Sequence, residues 1–391
     1  MSSRPTAGAL AVTLALLGAG SAKGDLNVGG DLKFYMADMV TGSSWIPDLD
    51  SMGQPITVRN DSTSRIKSGF SSLYLFLMPQ FGDRVSFDIE PELDASSGAT
   101  PRLGTVIGFD PGDGGLLLRL NAAKASVMLP SNIEISAGVM RPMFTEEYGG
   151  SRFFQEEYNG GRVSCNPWLA AWHDFGVEVY RPFEMELGKN HYLSLPVYLY
   201  LLNGGFDRSA DQLDRTVLVH LAPEFGKLRL MGSAAYGRWD PEDKHTVMRY
   251  AGGLGLELGR CWLRAEYIGG RWDDQEYWTG ESTATMTAKP WGYYVKAGIR
   301  VVPDRLQLML HYDRTHHNFS GFSSIMDTVA EDYTTITGAL DFTVVSGSVI
   351  ILQADKAMWR NGQSDDELDE DEGWTKKLDF LRFTLGWRTV F

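Results

Sequence analysis

The last eleven residues constrain the fold of this chain more than any other stretch. They read Leu-Arg-Phe-Thr-Leu-Gly-Trp-Arg-Thr-Val-Phe, from Leu381 to Phe391. A β-strand turns successive side chains to opposite faces. Phe383, Leu385, Trp387 and Phe391 therefore share one face, with Thr389 among them, while Arg382, Thr384, Gly386 and Arg388 share the other. Such a strand needs an apolar medium on one side and water on the other. A closed barrel in lipid around a polar lumen supplies both.

The same alternation recurs upstream. In 83–93, Val85, Phe87, Ile89 and Leu93 fall on one face, with Pro91 between them, and Arg84, Ser86, Asp88, Glu90 and Glu92 on the other. A helix would scatter those acids around its circumference, whereas period two collects them. About sixteen such segments are predicted, at 25–39, 66–79, 83–93, 115–128, 133–141, 174–182, 190–202, 215–223, 227–239, 245–258, 260–270, 290–302, 305–315, 332–343, 348–359 and 378–391. Short connections such as 80–82, 129–132, 224–226, 302–304 and 344–347 alternate with longer ones at 40–65, 94–114, 142–173, 203–214, 271–289, 316–331 and 360–377, with a shorter one near 240–244. This is the order of an all-β, transmembrane, antiparallel up-and-down barrel with tight periplasmic turns and long outer loops. A soluble β-sandwich also alternates faces, but it does not sort its loops by length to one end. Two segments read poorly: 66–79 is apolar on both faces, and in 115–128 Lys124 shares parity with Leu116 and Leu118, which calls for a bulge or a snorkelling lysine.

Residues 1–22 read as a signal peptide, leaving 23–391 as the barrel. Arg4 supplies the positive region, Ala7 to Ala19 the apolar core, and Gly20-Ser21-Ala22 a small-residue cleavage site, with cleavage after Gly24 the alternative. The 43 glycines, 19 phenylalanines, 16 tyrosines and 11 tryptophans suit bends and interfacial girdles. Phe34, Tyr192, Trp239, Tyr250, Tyr267, Trp291, Tyr293, Tyr312, Trp387 and Phe391 fall near strand ends, where girdles belong. A formal charge of −14 argues against a nucleic-acid partner. The two cysteines, Cys165 and Cys261, form no haem or redox motif and read as isolated thiols. No cofactor or metal is implied.

The terminal strand resembles that of bacterial outer-membrane proteins, whose last aromatic is read by the barrel assembly machinery; the resemblance gives Phe391 that role. Strand count, loop order and terminal phenylalanine together resemble the trimeric general diffusion porins of Gram-negative outer membranes. The resemblance implies an outer-membrane channel passing small hydrophilic solutes, a homotrimer embedded in lipid and lipopolysaccharide, and a 142–173 loop folded into the pore as its constriction. That loop repeats itself: Glu146-Glu147-Tyr148-Gly149-Gly150 is echoed by Glu156-Glu157-Tyr158-Asn159-Gly160-Gly161. Its four glutamates would carry negative potential into a constriction, or lie on a solvated outer loop. Parity places Asp88, Glu90, Glu92 and Glu134 on one part of the lumen wall and Arg249, Arg264, Lys296, Arg300, Arg382 and Arg388 on another. Opposed charges across a narrow opening set up a transverse field that favours dipolar solutes. The loop acids would tip the balance toward weak cation preference.

Three alternatives stay open. Arg249, Arg264, Lys296 and Arg382 suit part of an anion path of the phosphate-selective porin type. Glycines at interior positions 253, 255 and 292 suit a sheath around a partner such as a multihaem cytochrome. An enzyme would use His311 and Asp313, which share one face of 305–315, with His316-His317 and His173-Asp174 at the rims; no nucleophile is specified. Seven acids within 365–372 read as a solvated outer loop or a site for divalent cations bridging lipopolysaccharide.

Overall fold

The computed structural model describes residues 24–49, 55–63, 66–94, 117–146, 173–188, 191–203, 215–238, 246–278, 283–316, 332–360 and 377–391. The expected signal peptide (residues 1–22), Trp239, Cys165, Glu147, Glu156, Glu157, His317 and the acids of 365–372 lie outside them. The described strands are β1 (Gly24–Leu49), β2 (Pro55–Thr63), β3 (Lys67–Phe81), β4 (Val85–Asp94), β5 (Leu117–Leu129), β6 (Ile133–Met140), β7 (Asp174–Gly188), β8 (His191–Leu202), β9 (Thr216–Leu221) and β10 (Glu224–Phe225). They continue with β11 (Leu228–Arg238), β12 (Thr246–Leu258), β13 (Cys261–Trp278), β14 (Thr283–Ala288), β15 (Trp291–Val302), β16 (Leu306–His316), β17 (Asp332–Val345), β18 (Ser348–Arg360) and β19 (Lys377–Val390).

These nineteen strands occupy sixteen wall positions, because three positions are broken in two. β2 and β3 succeed one another along β1, as β14 and β15 do along β13. β9 and β10 lie end to end between β8 and β11, parted at Ala222-Pro223. Every other strand pairs antiparallel with its successor, and β19 returns to β1, with Asp31 opposite Val390. Gly30 and Phe391 exchange both backbone hydrogen bonds, at 2.9 and 3.1 Å. The barrel wall therefore closes on itself, as β19 pairs with β1.

Side-chain environment follows parity. In β11, Leu228, Leu230 and Tyr236 are exposed on the outside, whereas Met231, Ser233 and Ala235 are buried inside. In β19, Phe383 and Trp387 are exposed, as is Phe391 just beyond it, while Thr384 and Arg388 are buried. The exposed apolar residues of a barrel face lipid, so exposure here marks the outside rather than a defect. Part of the outer girdle is a run of rings: Tyr250 to Tyr267 at 6.3 Å, Tyr267 to Trp291 at 6.5 Å, and Tyr293 to Tyr312 at 5.9 Å.

The difficult segment 115–128 resolves physically. The β4–β5 register shifts between Glu90 and Pro91, so that Ala122 faces Glu90 and Leu120 faces Pro91. The intervening Asn121 is a bulge, and it reverses parity between Leu118 and Lys124. The expected loops 40–65 and 271–289 are instead largely paired backbone, since β1 continues to Leu49 against β2 and β13 to Trp278 against β14. Beyond the bilayer both faces of a hairpin meet water, so its sequence need not alternate. β7 likewise runs past the expected end at Pro182. Pro182 stands opposite Pro196, whose carbonyl accepts a bond from Ala222 on the other side (3.1 Å), so neither missing donor breaks the β7–β8 ladder there. Cys261 is an exposed free thiol.

Candidate functional site

One side of the lumen is acidic. Asp88, Glu90 and Glu92 project inward from β4, Glu134 from β6 and Glu178 from β7. Glu90 and Glu92 are each 1% exposed. Lys124 on β5 is drawn to Glu178 Oε1 at 3.3 Å. Ser126 and Ser136 hydroxyls meet at 2.8 Å, and Ser136 donates to Glu134 Oε1 at 3.2 Å.

Half a barrel away stands a basic side. β4 is the third wall position and β13 the eleventh of sixteen, so Arg264 lies across the lumen from Asp88. Register aligns Arg229, Gly255, Arg264, Lys296, His311, Thr337, Asp355 and Arg382 as successive cross-strand partners from β11 to β19. Because barrel strands are tilted, such a row climbs obliquely along the lumen instead of ringing it at one depth. The Arg264 guanidinium stacks 5.3 Å from the Trp262 ring, and Lys296 Nζ lies 5.8 Å from that of Tyr294. Arg249 faces inward on β12 but belongs to a different row, opposite Ala235 and Gly270.

Two of the expected wall cations are occupied near the tight-turn end. Arg388 Nε contacts both oxygens of Asp31 at 3.0 and 3.1 Å, and Asp31 also holds Lys33 at 3.7 Å. Arg300 pairs with Glu257 at 3.3 Å in an exposed position. These pairs stabilise the wall rather than contribute an unmatched charge to the lumen.

The start of the 142–173 segment turns into the barrel. Phe144 and Thr145 are fully buried. The Met143 amide donates to the Tyr200 hydroxyl at 3.1 Å, and Ser233 Oγ donates to the Phe144 carbonyl at 2.6 Å. Because Ser233 spends its proton on Phe144, His220 Nδ1, 2.7 Å away, must be the donor to Ser233. The Glu146 amide donates to Glu266 Oε1 at 2.6 Å, and Arg229 Nη1 donates to Glu146 Oε1 at 2.7 Å. Tyr294 holds the other oxygen of Glu266. Beneath this polar clamp, Phe144 and Met140 pack on Tyr200, Leu202, Leu218, Met231, Ala235, Ala251 and Ile268. Fully burying one such side chain is worth about 1.5–3 kcal/mol. Of the loop glutamates, the structure places Glu146 against the wall; Glu147, Glu156 and Glu157 lie outside the described residues.

The loop's two roots meet at its base. Arg141 Nε lies 3.4 Å from His173 Nε2, and Arg141 Nη2 lies 3.4 Å from Asn121 Oδ1. Asn121 in turn donates to Glu92 Oε2 at 2.9 Å. His173 thus anchors the loop root, and beside it Asp174 Oδ1 accepts from the Phe175 amide at 2.7 Å. His311 and Asp313 are both buried, with Nε2 and Oδ2 3.6 Å apart, beside the Tyr294 ring. Sequence reasoning missed Arg141, Glu178, Arg229 and Glu266, along with the apolar seat of the loop. A signal for the seat existed in 199–202, where Leu199 and Leu201 face lipid while Tyr200 and Leu202 are buried inside. A strand apolar on both faces needs an apolar partner within the lumen.

Comparison with solved structures matches this architecture end to end. A trimer form of OmpT, an outer-membrane protein of Vibrio cholerae, superposes with a TM-score of 0.55 at 14% identity, covering 94% of this chain and 99% of that one. The anion-selective porin from Comamonas acidovorans gives 0.56 at 12% identity, covering 94% and 100%. Its fold is the outer-membrane porin fold. Salmonella typhi OmpF, in a complex with daunomycin, is similar at a TM-score of 0.53 and 12% identity, covering 94% and 97%. No family profile and no curated protein matches the sequence. This porin barrel is therefore related to those structures by its architecture, and its lumen chemistry has to be read from its own residues.

Proposed function

We propose that the chain is a porin that lets small hydrophilic solutes and ions diffuse passively through a lumen narrowed by its own 142–173 segment. The observation that carries this reading is the inward turn at 141–146, clamped by Glu146, Glu266 and Arg229, which fills one side of a lumen otherwise lined by opposed acids and bases. Acids on β4, β6 and β7 facing Arg264 and Lys296 provide a transverse field, which retains dipolar solutes and penalises apolar ones. The acidic side holds five carboxylates, from Asp88, Glu90, Glu92, Glu134 and Glu178, against Lys124 and Arg141. That surplus, with Glu147, Glu156 and Glu157 on the same segment as Glu146, supports weak cation preference.

The oblique cationic row Arg229–Arg264–Lys296–Arg382 favours a second reading, an anion path of the phosphate-selective type. The sheath reading is the weaker, because Phe144 and its apolar cluster already occupy part of the interior. We take the chain to be non-enzymatic, with His311 and Asp313 as packed wall residues. A homotrimer in lipid and lipopolysaccharide, inserted by the barrel assembly machinery through Phe391, completes the proposal.

Planar-bilayer recording tests it. Refolded protein should add conductance in discrete steps that grow with salt, and a potassium chloride gradient should give a small reversal potential of cation-selective sign. Strong anion selectivity, deepened by phosphate block of the chloride current, would transfer the assignment to the second reading. A protein that inserts but never conducts would end both.

A further inference from the structure

The outer face of β16 departs from the apolar pattern near its far end. Leu308, Leu310 and Tyr312 point outward, and the next residue of that parity is Arg314, while His311, Asp313 and Thr315 are buried inside. Arg314 stands at the end of the wall away from the tight turn before β16. A lipid-facing arginine costs about 2–4 kcal/mol at the bilayer midplane but only about 0–1 kcal/mol near the interface. Its neighbours Trp291 and Tyr312 belong to the aromatic girdle, which marks this depth as the headgroup level. The side chain is also seated: its guanidinium carbon lies 5.7 Å from the Trp291 ring centre, and the His316 ring stacks on Trp291 at 5.3 Å. Stacking occupies a face of the guanidinium and leaves its N–H edge to donate, a geometry that suits phosphate. Lys356, two strands away on the same outer face, is instead engaged by Asp379.

Below Arg314 the apolar surface has a notch. Gly338 faces outward as the cross-strand partner of both Leu310 and Ala354, and a Cβ there would meet nothing within 4 Å. The exposed side chains of Leu310 and Ile336 border the opening. Thr334 stands opposite Arg314, and Gly338 follows it by four residues, so notch and guanidinium are about 13 Å apart along the strand. One molecule with an anionic head and hydrocarbon chains reaches both.

We propose that Arg314 and the Gly338 notch bind one phosphorylated glycolipid of the outer leaflet, lipopolysaccharide, with a phosphate on Arg314 and an acyl chain in the notch. The end of the wall opposite the tight turns meets that leaflet when the turns are periplasmic. This site rests on the lipopolysaccharide environment proposed above and not on conduction.

Native mass spectrometry of the full-length barrel in mild detergent tests the site, with deep-rough lipopolysaccharide, its dephosphorylated form and phosphatidylglycerol as probes. The parent should retain the phosphorylated glycolipid in preference to the other two. Arg314→Gln should lower that affinity roughly tenfold, as loss of a charge-assisted hydrogen bond does, and Arg314→Lys should recover part of it. Gly338→Leu should weaken retention severalfold by filling the notch. Arg271→Gln, which removes an outward cation already paired with Asp273 at 2.7 Å, should change nothing. Heat-dependent gel mobility checks that each variant is folded. Equal affinity in parent and Arg314→Gln, an equal loss in Arg271→Gln, or equal retention of phosphatidylglycerol overturns the proposal. A fall from oligomer to monomer in Arg314→Gln without added lipid would assign this face to a subunit contact and overturn it as well. Bilayer recording on the same samples separates the two readings: glycolipid retained without current counts against the porin alone.

Discussion

Glu146 shows how one residue turns a loop into part of a wall. Its amide is held by Glu266 and its carboxylate by Arg229, from two different strands of the opposite side. Removing the carboxylate loses a charge-assisted hydrogen bond, worth about 1 kcal/mol at this partly buried position. It also removes one of two carboxylates that pair with Arg229, the other being Glu224 at 3.0 Å, and so weakens the compensation of a cation at the foot of the Arg264–Lys296–Arg382 row. Glu146→Gln should therefore move the reversal potential toward anions, and neutralising Glu147, Glu156 and Glu157 as well should move it further. An unchanged potential in the fourfold variant, measured under the same salt gradient, would place the loop away from the narrowest point. Asp31 plays a comparable part near the seam, where it serves both Arg388 and Lys33. Parity could assign these charges to the lumen. It could not say which of them are matched, because matching depends on strands far apart in the chain.

At the scale of elements, the seam between β1 and β19 is the place where closure is decided. The Phe391 ring lies across Gly30, so a Cβ at position 30 would come within 2.5 Å of ring atom Cζ. Glycine is needed there for close approach, while the paired backbones of Gly30 and Phe391 complete the ladder. Two variants separate signal from seat. Deleting Phe391 should slow insertion into membranes and lower the yield of folded barrel severalfold. Gly30→Val keeps the terminal aromatic but displaces it, so it should insert at near-normal rate and give a barrel that unfolds at lower temperature. Gel mobility after graded heating reads both outcomes, and normal assembly without Phe391 would make the aromatic incidental. The bulge at Asn121 is a second decision at this scale. Lys124 sharing parity with Leu118 was the visible symptom in sequence, and only the register with β4 located the skipped residue.

For the whole molecule, closure turns a two-residue pattern into a sorting of environments. Leu310, Tyr192 and Leu352 are more than half exposed on the outside, whereas Thr384, Tyr200 and Ser136 are fully buried within. A surface of that kind requires lipid or detergent, and the purified protein should precipitate when detergent is removed. Native mass spectrometry or light scattering in mild detergent should give three copies of the chain per particle. A monodisperse detergent-free solution would contradict the membrane assignment. A stable monomer in detergent would contradict the trimer alone.

The strand-by-strand alternation, the ordering of short and long connections and the terminal aromatic were determined by the sequence itself, because a membrane wall has the same physical rule at every strand. Lipid outside and water inside leave a local mark on each pair of neighbouring residues. Tertiary structure decided what has no local mark. It extended β1, β2, β13 and β14 beyond the bilayer, where both faces are wet and alternation ceases. It turned 141–146 inward onto Tyr200 and Arg229 and matched Arg388 with Asp31. Those outcomes arise from register and closure, which bring together residues separated by much of the chain.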